Sequence, residues 1–146
     1  MKKFTFSILV FSLMALLSPL QAQSDRGQDI IKNSINEMVS DVEKADNAAD
    51  KRVILNKSLD KLITAIDRVE AMKAVPDSDK TLLFSFKEDL SEKKNELNGM
   101  DGYRKVPNNQ LNNFANFIQQ DFEQADKFVT LSLSTVLLIV IILLLL

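Results

Sequence analysis

The sequence predicts an all-α protein: a small exported helical bundle of three to four helices whose last helix continues into a single C-terminal transmembrane helix. Three observations predict it. In the middle of the chain apolar residues recur at steps of three and four, the period of a helix face. Strand signals are missing, with no period-2 runs to flank a hairpin turn. The apolar residues are also unevenly shared. Residues 1–22 hold 14 of them and residues 128–146 hold 15 in 19 positions, whereas residues 23–127 hold 38 in 105 and carry 36 charges. A polar segment thus stands between two apolar ends.

Residues 1–22 have the layout of a secretory signal peptide. Lys2 and Lys3 supply the charged start, residues 4–17 form a short apolar stretch, and Pro19 interrupts any helix. Leu20-Gln21-Ala22 then offers a small-residue cleavage site after Ala22. Fourteen helical residues rise only about 21 Å, short of the roughly 30 Å hydrocarbon layer. An uncleaved signal anchor is the alternative. Cleavage would leave 16 basic and 20 acidic residues, a net charge of −4.

Four helices are expected in residues 23–127, roughly 29–45, 48–75, 79–98 and 108–127. Ile31, Ile35, Met38, Val42 and Ala45 make the first apolar stripe. Leu55, Leu59, Leu62, Ile66 and Val69 make the second, widened by Ile63 and Met72. The two stripes are joined by a three-residue slip that one continuous helix can absorb. A kink or break near Asp46–Asn47 is the favoured reading, because Asn47-Ala48-Ala49-Asp50 resembles a capping box. Pro76 stops the second helix, and Asp77, Ser78 and Asp79 are expected to cap the third by accepting its free N–H groups.

The third helix presents Leu83, Phe86, Leu90 and Leu97, with Lys93 and Lys94 interrupting its stripe. Gly99 is its expected C-cap. Pro107 suits the first turn of a fourth helix carrying Leu111, Phe114, Ile118, Phe122, Ala125 and Val129. Five of the six aromatics of this segment fall on the third and fourth helices, which places the expected densest packing there.

Residues 128–146, FVTLSLSTVLLIVIILLLL, carry no charge. Nineteen helical residues rise about 28 Å, enough to span a bilayer. Each Leu, Ile, Val or Phe favours insertion by roughly 0.3–0.6 kcal/mol, on the order of 6 kcal/mol for the segment. Thr130, Ser132, Ser134 and Thr135 oppose this weakly, since hydroxyls bond back to helix carbonyls. A buried soluble helix would need a large apolar surface to receive it, and the middle segment reads as too polar to supply one. No breaker stands between Phe122 and Val136, so the fourth helix is expected to run on as a rigid stalk of nearly 40 residues, about 60 Å. Ahead of the tail lie Asp121, Glu123, Asp126 and only Lys127, which suits the non-cytoplasmic side.

Composition excludes several function classes. With no His and no Cys, Ser-His-Asp and Cys-His catalytic groups, thiolate or imidazole zinc sites and disulfides cannot be built. The mixed, mildly acidic charge argues against a nucleic-acid partner, which demands clustered Lys and Arg. Asp77-Ser78-Asp79 spaces carboxylates as a calcium loop does, but Leu82 stands where that loop needs Gly. Glu88, Glu92 and Glu96 read as a solvated helix face beside Lys87, Lys93 and Lys94. Asn56-Lys57-Ser58 matches a glycosylation acceptor but falls within a helix. No catalytic, cofactor-binding or metal-ligating residue emerges, and no small-molecule substrate is inferred.

The connection after Gly99 is the segment singled out for binding. Tyr103, Arg104 and Lys105 are the expected partner contacts there, because loops with an aromatic beside a guanidinium are common contact points. Phe117, lying off its helix's main stripe, is the fourth. The expected function is that of a non-catalytic, membrane-tethered interaction or scaffold protein of the cell envelope. Its partners would be the bilayer, through residues 128–146, and a protein or a second copy. The expected place is a bacterial inner membrane, with residues 23–127 on the periplasmic side. The alternative is a membrane-active protein that oligomerises through its C-terminal helix and permeabilises the bilayer, using Ser132, Ser134 and Thr135 in helix packing.

Overall fold

The computed structural model describes the backbone of residues 19–124 and 131–146, and the side chains of residues 29–124 and 131–146. Most of the expected signal peptide, residues 1–18, and the expected joint at residues 125–130 lie outside the described residues. The described residues form five α-helices and no strand. They are α1 (Pro19–Lys44), α2 (Ala48–Glu70), α3 (Asp77–Asn98), α4 (Leu111–Gln124) and α5 (Leu133–Leu145). A short 3₁₀ turn, Asn108–Gln110, precedes α4.

Pro19 occupies the first position of α1, where its missing N–H costs no intrahelical bond. The helix therefore starts ten residues ahead of the expected 29, and the expected cleavage point after Ala22 falls in its first turn. The chain breaks at residues 45–47, as the favoured reading of the sequence has it. Asn47 takes an extended conformation, its Oδ1 accepts from the Asp50 N–H at 2.9 Å, and its Nδ2 donates to Asp50 Oδ2 at 2.7 Å. That reciprocal pair satisfies a donor left over at the start of α2. α2 ends at Glu70, five residues before the expected 75, and residues 71–75 form the turn that leads into Pro76. Val75 is buried within the resulting turn.

At the start of α3 the expected cap is corrected. Pro76 stands at the N-cap with no side-chain hydrogen bond, and Asp79 turns away from its own helix. The expected C-cap at Gly99 is found: its φ of 71° is left-handed, and the Met100 N–H reaches back to the Asn95 carbonyl at 2.9 Å. A side chain here would collide, since a Cβ on Gly99 would lie 2.8 Å from Lys105 Cβ. Pro107 precedes the 3₁₀ turn, and α4 proper begins at Leu111.

α1, α2 and α3 follow one another as antiparallel neighbours, and α4 returns against α1. The apolar stripes read from the sequence are the buried ones. Ile31, Ile35, Met38 and Val42 of α1 face Leu55, Leu59, Leu62, Ile66 and Val69 of α2. Leu83, Phe86, Leu90 and Leu97 close the core from α3, and Leu111, Phe114 and Ile118 from α4. The expectation of densest packing among the aromatics is corrected: Phe84, Tyr103 and Phe117 are exposed, and aliphatic α1 and α2 are the centre of the bundle. Polar ties fix the register. Arg52 donates to the carbonyls of Leu97 and Val106 and to Asn108, joining α2 to the end of α3 and the start of the 3₁₀ turn. Asn56 and Asn98 exchange amide hydrogen bonds, which gives Asn56 a packing role within α2. Lys87 bridges Asp67 at 2.9 Å and Glu70 at 2.8 Å.

The largest departure from expectation is at the C-terminus. The expected helix of nearly 40 residues is not continuous: α4 is described to Gln124, and Ser132, with ψ of 147°, stands outside helical geometry as the N-cap of a separate helix. Its Oγ accepts from the Thr135 N–H. A seryl N-cap inside an apolar run starts α5 as a helix of its own. α5 has 13 residues, about 20 Å of rise. No helix among the described residues is long and apolar enough to cross a membrane. Instead α5 packs along the seam between α1 and α2, where Val136, Ile139, Val140 and Leu143 are buried. The middle segment therefore does supply an apolar surface for the tail, contrary to the sequence reading. The buried apolar residues of α1 and α2 extend along their shared seam far enough to seat one helix.

Candidate functional site

Two features of the described residues bear on function: the attachment of α5 and the outer surface of α3. Among the described residues, Asp79 is the one buried charged side chain, at 4% exposure. Its Oδ2 accepts from Ser132 Oγ at 2.5 Å, from Thr135 Oγ1 at 2.6 Å and from the Ser132 N–H at 3.1 Å. Thr135 is wholly buried, and Ser132 Oγ and Thr135 Oγ1 lie 3.0 Å apart. The carboxylate thus sits at the N-terminus of α5 while belonging to the first turn of α3. Both helix ends favour a negative charge. Burial alone would raise the carboxyl's pKa, but the hydrogen bonds from Ser132 and Thr135 outweigh it and hold the group below the usual carboxylate value.

Further along, α5 runs antiparallel to α2. Leu143 lines a crevice of about 120 Å³ with Met38 of α1 and Leu62 of α2, rimmed by Glu37, Asp41 and Lys61. The opposite face of α5 is also apolar: Leu137, Ile141, Leu144, Leu145 and Leu146 are exposed, Leu144 by 73%. A surface helix ordinarily turns polar residues outward. α5 does not.

The second feature gathers two of the four residues expected to contact a partner. Tyr103 and Phe117 are both exposed, and adjacent residues of α3 bring them together. The Tyr103 hydroxyl donates to Glu92 Oε1 at 3.0 Å, and Lys93 Nζ stands 4.2 Å from the centre of the Phe117 ring. The Glu92 carboxylate pushes the Tyr103 phenol above its usual pKa. Glu96, Val106, Phe114 and Phe117 line an open groove on this side. Arg104 and Lys105 are exposed at the turn and make no ion pair among the described residues. Asp101, with φ of 51°, and Gly102, with φ of 84°, shape that turn.

Of the residues that matter here, Ser132 and Thr135 were visible in the sequence as hydroxyls within an apolar run, and Asp79 as a cap. Their meeting was not. No cluster of acidic side chains among the described residues is arranged to hold a metal ion. No known protein family, characterised protein or solved structure matches the chain.

Proposed function

We propose that this chain is a non-catalytic helical interaction protein of the bacterial cell envelope, attached to the membrane through its C-terminal segment, residues 128–146. The observation that carries the reading is the outer face of α5. Five large aliphatic residues face outward there, and no charge occurs between residues 131 and 146. Apolar surface of that extent on a soluble protein marks a contact with lipid or protein. An uncharged helix of Leu, Ile and Val matches acyl chains better than the mixed surface of a protein partner. In this reading the bilayer partners α5, the surface of Tyr103 and Phe117 with Arg104 and Lys105 meets a protein partner or a second copy, and residues 23–127 stand on the periplasmic side of the inner membrane. Attachment raises the bundle's effective concentration toward other membrane proteins.

The experiment is flotation of the full chain with phospholipid vesicles, beside a chain lacking residues 131–146. The full chain should rise with the lipid and the shortened one should stay below. A full chain that stays below in plain buffer would overturn the reading.

A further inference from the structure

We infer that α5 is a removable segment, seated on the α1–α2 seam in water and withdrawn from it by a bilayer, with Asp79 as the latch that holds it. The inference rests on the membrane reading above. The same apolar helix has two competing surroundings. Seated, it buries Val136, Ile139, Val140 and Leu143 but leaves Leu137, Ile141, Leu144, Leu145 and Leu146 in water. In a bilayer both faces are covered at once. The seated form is thus a compromise that lipid can improve.

The attachment has the layout of a latch rather than of a core helix. Among the described residues, the polar ties of α5 to the rest of the protein all end on one atom, Asp79 Oδ2. They lie at one end of the helix. At the other end Leu143 is buried without a polar tie and lines a crevice with Met38 and Leu62. α5 also has its own N-cap at Ser132, so it can leave as an intact helix without unwinding another. Removing it would open the α1–α2 seam and uncover Met38 and Leu62. The molecule would then alternate between a form that hides its anchor and a form that shows both anchor and seam.

Because the sequence contains no Cys, two can be introduced and spin-labelled. Lys61→Cys and Leu144→Cys place labels at exposed positions beside the crevice that Leu143 lines. Pulsed electron–electron distance measurement on the full chain in buffer should give a short, narrow distribution. Vesicles of phosphatidylethanolamine and phosphatidylglycerol should replace it with a long one. Asp79→Asn should bring the change at about tenfold lower lipid concentration, the size expected when a charge-assisted bond is weakened. Ser132→Ala with Thr135→Val serves the same purpose should circular dichroism show that Asp79→Asn loses its helices. Labels that keep their short distance while the protein floats with lipid would overturn release and leave membrane attachment standing. A lipid dependence identical in the latch variants and the parent would overturn the role of Asp79. A chain that never floats would remove the membrane reading and this inference with it.

Discussion

Asp79 concentrates more consequence than any other side chain of the bundle. It is buried, ionised and bonded to two hydroxyls and an amide that belong to a helix over fifty positions away, Ser132 standing 53 residues on. Asp79→Ala would leave Ser132 Oγ and Thr135 Oγ1 without their shared acceptor, and the loss expected is about 2 kcal/mol, within the range for hydrogen bonds to a charged group. The sign of its pH dependence follows from its lowered pKa. The unfolded carboxyl titrates near 3.9, so the folded protein gains the full contribution above about that pH and loses it as pH falls through the lower folded value. Thermal unfolding of parent and variant should therefore differ by a constant amount at neutral pH and converge in acid below about pH 4. A gap that stayed constant through that range would show that the carboxylate's charge is not what holds Ser132 and Thr135. Lys87 has the opposite slope. Its ammonium, bonded first to Glu70 and then to Asp67, has a raised pKa. Its stabilisation is complete below the unfolded lysine value, about 10.4, and fades as pH rises through the folded one. Lys87→Met should thus lower the unfolding free energy at neutral pH, by under about 1 kcal/mol since the lysine is partly exposed, and should have little effect in strong alkali.

At the scale of the helices, short-range signals were legible and long-range ones were not. The stripes of α1 and α2 can be read because one-sided burial imposes a period that a sequence displays directly. The break at Asn47 and the stop at Gly99 can be read because a cap lies within three or four residues of what it caps. Gly99→Ala should cost about 1–2 kcal/mol for the left-handed φ, with the collision against Lys105 added to it, and a chemical denaturation midpoint measures this. Arg52→Ala tests a tie of longer range, since it frees the carbonyls of Leu97 and Val106 together; a loss of about 2–3 kcal/mol is expected. α5 escaped because a helix that is apolar on every side has no periodic face from which to read a docking partner. Ser132 escaped because a hydroxyl in an apolar run reads equally as a back-bonded helix residue or as a cap. Only the fold decides between them, by bringing Asp79 to the Ser132 N–H. The surface around Tyr103 was half legible. Loop composition pointed to Tyr103, Arg104 and Lys105, and an off-stripe position to Phe117, but only the pairing of Glu92 with Tyr103 and of Lys93 with Phe117 joins the loop to α4.

For the whole molecule the decisive question is what α5 contributes to a bundle that already has a core. α1 to α4 bury their stripes mainly against one another, so a chain ending at Gln124 should keep its helical circular dichroism. It should not keep its stability. Val136, Ile139, Val140 and Leu143 are each buried against the seam, and each such side chain contributes roughly 1.5–3 kcal/mol when fully removed from water. These values are upper bounds, because the unfolded chain is itself partly collapsed. Removal should therefore lower Tm by several degrees rather than unfold the protein, and the seam should open to solvent around Met38 and Leu62. An apolar fluorescent dye reports that surface directly. The shortened chain should bind it strongly, whereas the full chain in buffer should bind it only on the outer stripe of α5. Adding vesicles to the full chain should then divide two arrangements. If α5 is withdrawn from the seam, Met38 and Leu62 become reactive when replaced by cysteine; if α5 meets lipid while still seated, they remain protected.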